Sequence, residues 1–155
     1  MKVRHATADD AAGMTVVLNA VIALGGTTAH EVPKTEAEVR AGYVTGPDVL
    51  SAVVCEDGGR IVGWQSVEWY EGDPHIGTFV QPGVQAKGIG GAMFDLTCRI
   101  LRDRGTSYII AHIRADNVPG LAYYARIGFR DIGQDPDFAL GDGRKVGRVH
   151  RRFDL

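Results

Sequence analysis

The sequence predicts an α/β chain of the mixed α+β kind, with a central, mostly antiparallel sheet flanked by helices on both faces. Three observations lead there. Apolar runs are joined by the tight turns Asp57-Gly58-Gly59 and Gly72-Asp73-Pro74, a mark of antiparallel hairpins. Helical apolar periods stand before and after that block. Late in the chain the apolar run Ser107 to Ile113 lies between two helical stretches, which implies a strand–helix–strand unit and so a mixed sheet.

In chain order, Lys2 to Thr7 alternates and reads as an early strand. Thr7 followed by Asp9 and Asp10 suits a helix start, where early acids oppose the positive helix end. Met14, Val17, Leu18, Val21 and Ile22 then recur at helical spacing and form a buried stripe, ended by Gly25-Gly26. After a polar loop, Thr35 caps a second helix with Glu38 as its reciprocal partner, and Gly46-Pro47 breaks it. Strands follow at Val49 to Glu56, Arg60 to Tyr70 and His75 to Val80. A helix from about Gly88 carries Ile89, Met93, Leu96 and Ile100 on one face. It ends with Arg99, Arg102 and Arg104 before Gly105, basic residues meeting a negative helix end. Ser107 to Ile113 is an interior strand and Asn117 to Ile127 a short helix. Phe129 to Ile132 and Lys145 to Phe153 supply the last strands.

With 155 residues, the chain is read as one domain, 1–155, large enough for its own core. A net charge of −2 provides no general attraction to nucleic acid. The basic run Arg148 to Arg152 is interleaved with valine and phenylalanine and reads as a strand with a charged face. Cys55 and Cys98 have no metal or redox spacing, which suits reduced thiols in a cytoplasmic protein. The start Met-Lys-Val-Arg-His lacks the apolar centre of a signal peptide, and no apolar run approaches the ~20 residues that cross a bilayer. The histidines show no metal-ligand spacing, so no metal is expected.

The chemistry is concentrated in Gln85-Ala86-Lys87-Gly88-Ile89-Gly90-Gly91, between a strand and a helix start. Glycines there allow close backbone approach, and free N–H groups at the helix start point at negative oxygens, so a phosphorylated ligand is implied. A dinucleotide fingerprint is excluded because Met93 stands where its third glycine belongs. A nucleotide P-loop is excluded because Lys87 precedes Gly88. What remains, Q-x-x-G-x-G-G, resembles the acyl-CoA pyrophosphate loop of the GNAT acetyltransferase superfamily. A second segment is similar to that superfamily's other signature: Asn117, then Tyr124 seven positions later, then Gly128-Phe129. The layout faintly resembles the phosphinothricin and amino-acid acetyltransferase branch.

The resemblance implies acetyl-CoA as acyl donor, direct transfer to the primary amine of a small molecule such as an amino acid, and a homodimer. It places the pyrophosphate on Gln85 through Gly91 and the pantetheine arm on backbone groups of Phe79 and Val80. Asn117 would contact the pantetheine or cap its helix. Lys87 either adds charge or is simply solvated. Tyr124 is the candidate general acid, since a phenol with a pKa near ~10 holds its proton at neutral pH. His75 is a candidate base, with Glu68 and Glu71 as rivals. His112 reads as a core or cleft histidine. An acceptor pocket is expected from Thr27, Thr28, His30, Glu68, Trp69 and His75, with Arg114 able to meet a carboxylate or phosphate. Two other readings stand beside this one: a non-catalytic acyl-CoA-binding module, and an acetyltransferase of aminoglycoside or protein amines.

Overall fold

The computed structural model describes residues 1–84 and 88–155; Gln85, Ala86 and Lys87 lie outside the described residues. Strand β1 (Lys2–His5) leads through a 3-10 turn into α1 (Ala11–Leu24). Helix α2 (Glu36–Arg40) continues as a π-helical turn, Ala41–Thr45. Strands β2 (Val49–Asp57), β3 (Arg60–Tyr70) and β4 (Asp73–Val80) form a meander. Then come α3 (Ile89–Asp103), β5 (Tyr108–Arg114), α4 (Val118–Arg126), β6 (Arg130–Asp135) and β7 (Arg148–Asp154). They build one sheet in the order β1-β2-β3-β4-β5-β7-β6. Every neighbouring pair is antiparallel except β4 and β5.

The local signals behave as their chemistry requires. Thr35 and Glu38 exchange the two hydrogen bonds of a capping box. The stripe Met14, Val17, Leu18, Val21 and Ile22 is buried. The β2–β3 hairpin turns on Gly58 and Gly59, at φ 57° and 80°, a left-handed pair that suits the twist of a two-residue hairpin loop. The second hairpin departs from expectation. Its loop residues are Glu71 and Gly72, because Tyr70 already pairs with Asp73, so Asp73 and Pro74 belong to β4. Glu71, at φ 50°, takes a left-handed position that composition does not advertise.

The pleat sends neighbouring residues of β2 to opposite faces. Val54 joins α1 in a cluster with Trp64 and Phe79. Val53 and Cys55 pack on Ile89 and Met93 of α3. The buried face of α3 is turned from the expected stripe: Phe94, Thr97, Cys98 and Leu101 are buried with Met93, whereas Leu96 and Ile100 are only partly covered. The cause is a cluster beyond the sheet centre, where Phe94 meets Phe129 and Phe153 and pulls the helix face toward β7.

One irregularity positions the site. β3 and β4 are paired from Gly63↔Val80 to Tyr70↔Asp73, yet β4 and β5 share only the single pair His75↔Ile110. Beyond Ile76 the two parallel strands diverge.

Candidate active site

A cleft of about 260 Å³ opens at this divergence. Its walls come from the α1–α2 loop, β3, β4, β5, α4 and the start of β7. A larger hollow, about 590 Å³, lies between α1 and the β2–β3 hairpin. There Arg4 is taken up by Asp10 and Glu56, and no Tyr or His lines it. The candidate residues Tyr124, Glu68, His75 and His30 line the cleft.

The backbone at the mouth is the first notable feature. The Gln81 N–H bonds Val62 of β3, so alternate residues Phe79 and Gly77 also turn their polar groups toward β3. Val80 and Thr78 therefore direct theirs toward the divergence. Phe79 was expected to serve there through its backbone; instead its backbone is spent on β3 and its ring packs on Trp64 at 4.5 Å. Past the mouth, Gly88 sits at φ 89° before the first turn of α3, a conformation open to glycine and strained for other residues. Gly90 has a reason the sequence did not show. A Cβ there would stand 2.5 Å from the Tyr123 ring, so this glycine answers to a tyrosine as well as to any ligand. Gly91 has open space around it. The expectations for Gln85, Ala86 and Lys87 lie outside the described residues.

On the α4 wall, Tyr124 is buried with its hydroxyl 2.9 Å from Thr78 Oγ1. Burial holds its phenol well above the ordinary range, so the proton stays on. Tyr123, raised by burial to about 12, donates to the Gly90 carbonyl at 2.9 Å. Gln65, with no exposed surface, donates to both Thr78 Oγ1 (3.0 Å) and Tyr123 (3.2 Å) and accepts from Thr97 (2.7 Å).

On the opposite wall, Glu68 and His75 stand directly across from each other on β3 and β4. Burial pushes the Glu68 carboxyl up to about 7, against a hydrogen bond from Ser66 that favours the charged form. Burial lowers His75, with the charges of Asp73 and Glu71 opposing. His112 lies edge-on to His75 at 4.5 Å and stacks on His150 at 4.1 Å. Burial, then the neighbouring His75, His150 and Arg148, push His112 down to about 4, which keeps it neutral. Among the described residues no group of His, Cys, Asp or Glu is arranged to hold a metal. His30 lines the cleft with its Nε2 3.2 Å from the Tyr43 hydroxyl. Thr27 and Thr28 line it as well.

Trp69 and Arg114 do other work than expected, and Asn117 takes the second of its two expected roles. Trp69 alternates with the cleft-lining Glu68 and Tyr70, so it points away on the other face of β3, 45 % exposed. Arg114 is buried and engaged: it forms a two-point pair with Asp116 and donates to the Thr28 carbonyl at 2.9 Å. Asn117 caps α4 by accepting from the Gly120 N–H and donates from Nδ2 to the Thr27 carbonyl. Arg114 and Asn117 thus staple the α1–α2 loop to the end of β5. Sequence reading missed Gln65, Thr78, Tyr43 and Arg148. Only the period of two along β3 and β4 hinted at the first two.

Comparison with known proteins agrees with this geometry. The model of the Acetyltransferase (GNAT) family matches residues 24–129. The chain belongs to the GNAT family. As a member it is classed with the N-acetyltransferases, which are transferases, and its sheet with flanking helices is the GNAT fold. It is 25 % identical over 152 residues to YwnH of Bacillus subtilis (strain 168), provisionally named a phosphinothricin acetyltransferase, covering 94 % of this chain and 93 % of that one. It is 30 % identical over 93 residues to the mycothiol acetyltransferase of Saccharomonospora viridis, covering 54 % of this chain and 30 % of that protein, so it spans under a third of that relative. In fold it is similar to a GNAT superfamily phosphinothricin acetyltransferase from Sinorhizobium meliloti solved in complex with acetyl-CoA (TM-score 0.82, 22 % identity, 99 % and 88 % coverage).

Proposed function

We propose that this GNAT protein is an acetyl-CoA-dependent N-acetyltransferase that acetylates the primary amine of a small molecule of the amino-acid type, as a single domain. One observation carries the reading: the β4–β5 divergence brings a protonated phenol, Tyr124, and a carboxyl near neutrality, Glu68, to the same cleft. The single domain is supported by one continuous sheet running from Lys2 to Asp154. The outward-turned backbone of Thr78 and Val80 suits an extended amide-bearing arm, and the start of α3 at Gly88 suits a pyrophosphate.

The roles follow from acidity. An acceptor arrives as an ammonium and must lose a proton before its nitrogen can attack the thioester carbonyl. Glu68, at about 7, is ionised often enough at neutral pH to draw the ammonium in, and basic enough to take its proton. His75, lowered by burial, is the weaker base and lies alongside. The carbon–sulfur bond then breaks, and the Tyr124 proton goes to the departing thiolate. Both cysteines are free and buried away from this cleft, which supports direct transfer over an acyl-enzyme.

The test is a mass-spectrometric screen of acetyl transfer from acetyl-CoA. The panel holds amino acids, phosphinothricin, de-acetylated mycothiol, polyamines, aminoglycosides and peptides, with the Tyr124→Phe variant in parallel. A product that falls sharply in the variant supports the reading. Aminoglycoside or peptide products alone would replace the acceptor class. Acetyl-CoA binding with no product from any acceptor would favour a binding module.

A further inference from the structure

Tyr124 meets Thr78 through two hydroxyls, and a hydroxyl pair by itself leaves open which oxygen donates. The direction matters, because a Tyr124 proton spent on Thr78 is not available to a leaving group. The surrounding atoms favour one arrangement. Gln65 turns its Oε1 to the Thr97 hydroxyl and its amide nitrogen to Thr78 and Tyr123. An amide nitrogen can only donate. Its two hydrogens go to Thr78 Oγ1 and to the Tyr123 oxygen. Tyr123, having accepted, passes its own proton to the Gly90 carbonyl. Thr78, having accepted, keeps one proton, and the Tyr124 oxygen 2.9 Å away can accept it. With that bond made, the Tyr124 proton is the single unassigned donor of the chain, and Tyr124 and Thr78 both line the cleft.

We propose that Gln65 is a positioning residue for acetyl transfer: through Thr78 it sets the direction of the hydrogen bonds so that the Tyr124 proton faces the leaving thiolate. The proposal rests on the reading of Tyr124 as the acid. In the step, the Tyr124 O–H bond breaks and an S–H bond forms on the thiolate. The tyrosinate left behind keeps the Thr78 hydroxyl as donor and regains a proton from water after products leave, while Glu68 releases the acceptor's proton to solvent. The same amide also joins the acid to the Gly90 carbonyl at the start of α3, so one buried side chain holds the acid and the first turn of the cofactor helix in fixed relation.

The test measures thiol release from acetyl-CoA with phosphinothricin as acceptor. Slow acceptor-free hydrolysis, which expels the same thiolate, is followed beside it. The variants are Thr78→Val, Thr78→Ser, Gln65→Leu and Tyr124→Phe, alone and combined. Thr78→Val and Gln65→Leu are each expected to lower kcat about 10-fold or more, with acetyl-CoA Kd unchanged within about two-fold. Thr78→Ser, which keeps the hydroxyl, retains wild-type kcat. In the Tyr124→Phe background the same substitutions cost less than about two-fold, because their route is already gone. Full additive losses in folded variants, or losses that appear in Kd rather than kcat, would overturn the proposal. Should Gln65→Leu fail to fold, the half-buried Thr78 variants decide alone. A slow Tyr124→Phe with a wild-type Thr78→Val overturns Gln65 positioning and leaves the acid in place. A wild-type Tyr124→Phe removes the acid and the positioning together.

Discussion

The two walls of the cleft differ in how their polar atoms are treated. On the α4 side, Thr97, Gln65, Thr78, Tyr123 and Tyr124 form one connected chain of hydrogen bonds. On the β3–β5 side, Glu68 receives one bond from Ser66, while His150 Nε2 and Arg148 Nε are buried with no partner among the described residues. A connected network of buried side chains limits the arrangements of its members, which suits a group that must present a proton in a fixed direction. A sparsely bonded wall has groups whose charge is set by burial, and these respond to pH and to whatever enters. In the proposed reaction the donor half is therefore governed by geometry, and the acceptor half by titration.

The largest test of that contrast is Tyr124→Phe, which keeps the ring and its packing on Phe129 but removes the proton. It is expected to lower kcat by about 10²-fold or more with a small change in Tm; steady-state rates beside a thermal melt check it. A collapse of Tm would mean the α4 wall is a structural brace and not a proton donor.

Glu68→Gln probes the other wall. Wild-type kcat/KM is expected to rise with pH through about 7 as Glu68 ionises, and the variant should lose that limb. Stability carries the opposite sign. The folded value lies above the ordinary 4.5, so the folded chain holds the proton more tightly than the unfolded chain. Stability is therefore full below about 4.5 and is lost as pH climbs through about 7. At pH 8 the glutamine variant is expected to be more stable by about 1–3 kcal/mol, and at pH 4 to match wild type. Melts across that range would break the contrast if the difference did not change with pH.

Gly90→Ala and Gly91→Ala sharpen the link between the α4 wall and α3. The first drives a methyl into the Tyr123 ring and should cost about 1–3 kcal/mol with weakened acetyl-CoA binding. The second meets nothing and should be near neutral. Calorimetric titration with acetyl-CoA separates them. The smallest effect is expected of Trp69→Ala, on the far face of β3: stability within about 1 kcal/mol and an unchanged KM for the acceptor.

Residues whose signal is local were legible in the sequence. The Thr35–Glu38 box, the α1 stripe and the Gly58-Gly59 turn each depend on neighbours a few positions away. The face of α3 was misjudged because Phe94 answers to Phe153, almost sixty positions on. The turn before β4 was shifted because the first of its two left-handed positions fell on Glu71, with Gly72 as the second. In the site, Tyr124, Gly88 and Gly90 were nameable as candidates because a spaced motif records them. Gln65 and Thr78 were not, since a polar residue at a period-two position looks like a solvent-facing one until a helix is laid over it. Trp69 failed by one residue, the step that changes faces on a strand.

The sequence by itself determined the order of elements, the hairpins, the helix caps and the two motifs that point to an acyl-CoA acetyltransferase. These rest on backbone preference and apolar period, which are properties of short stretches. Tertiary structure alone decided that β4 and β5 part after one pair, that Glu68 faces His75 and rises to about 7, and that Gln65 joins the chain ending at Tyr124. Burial and hydrogen-bond direction are set by which distant strands become neighbours, and no local pattern carries that information.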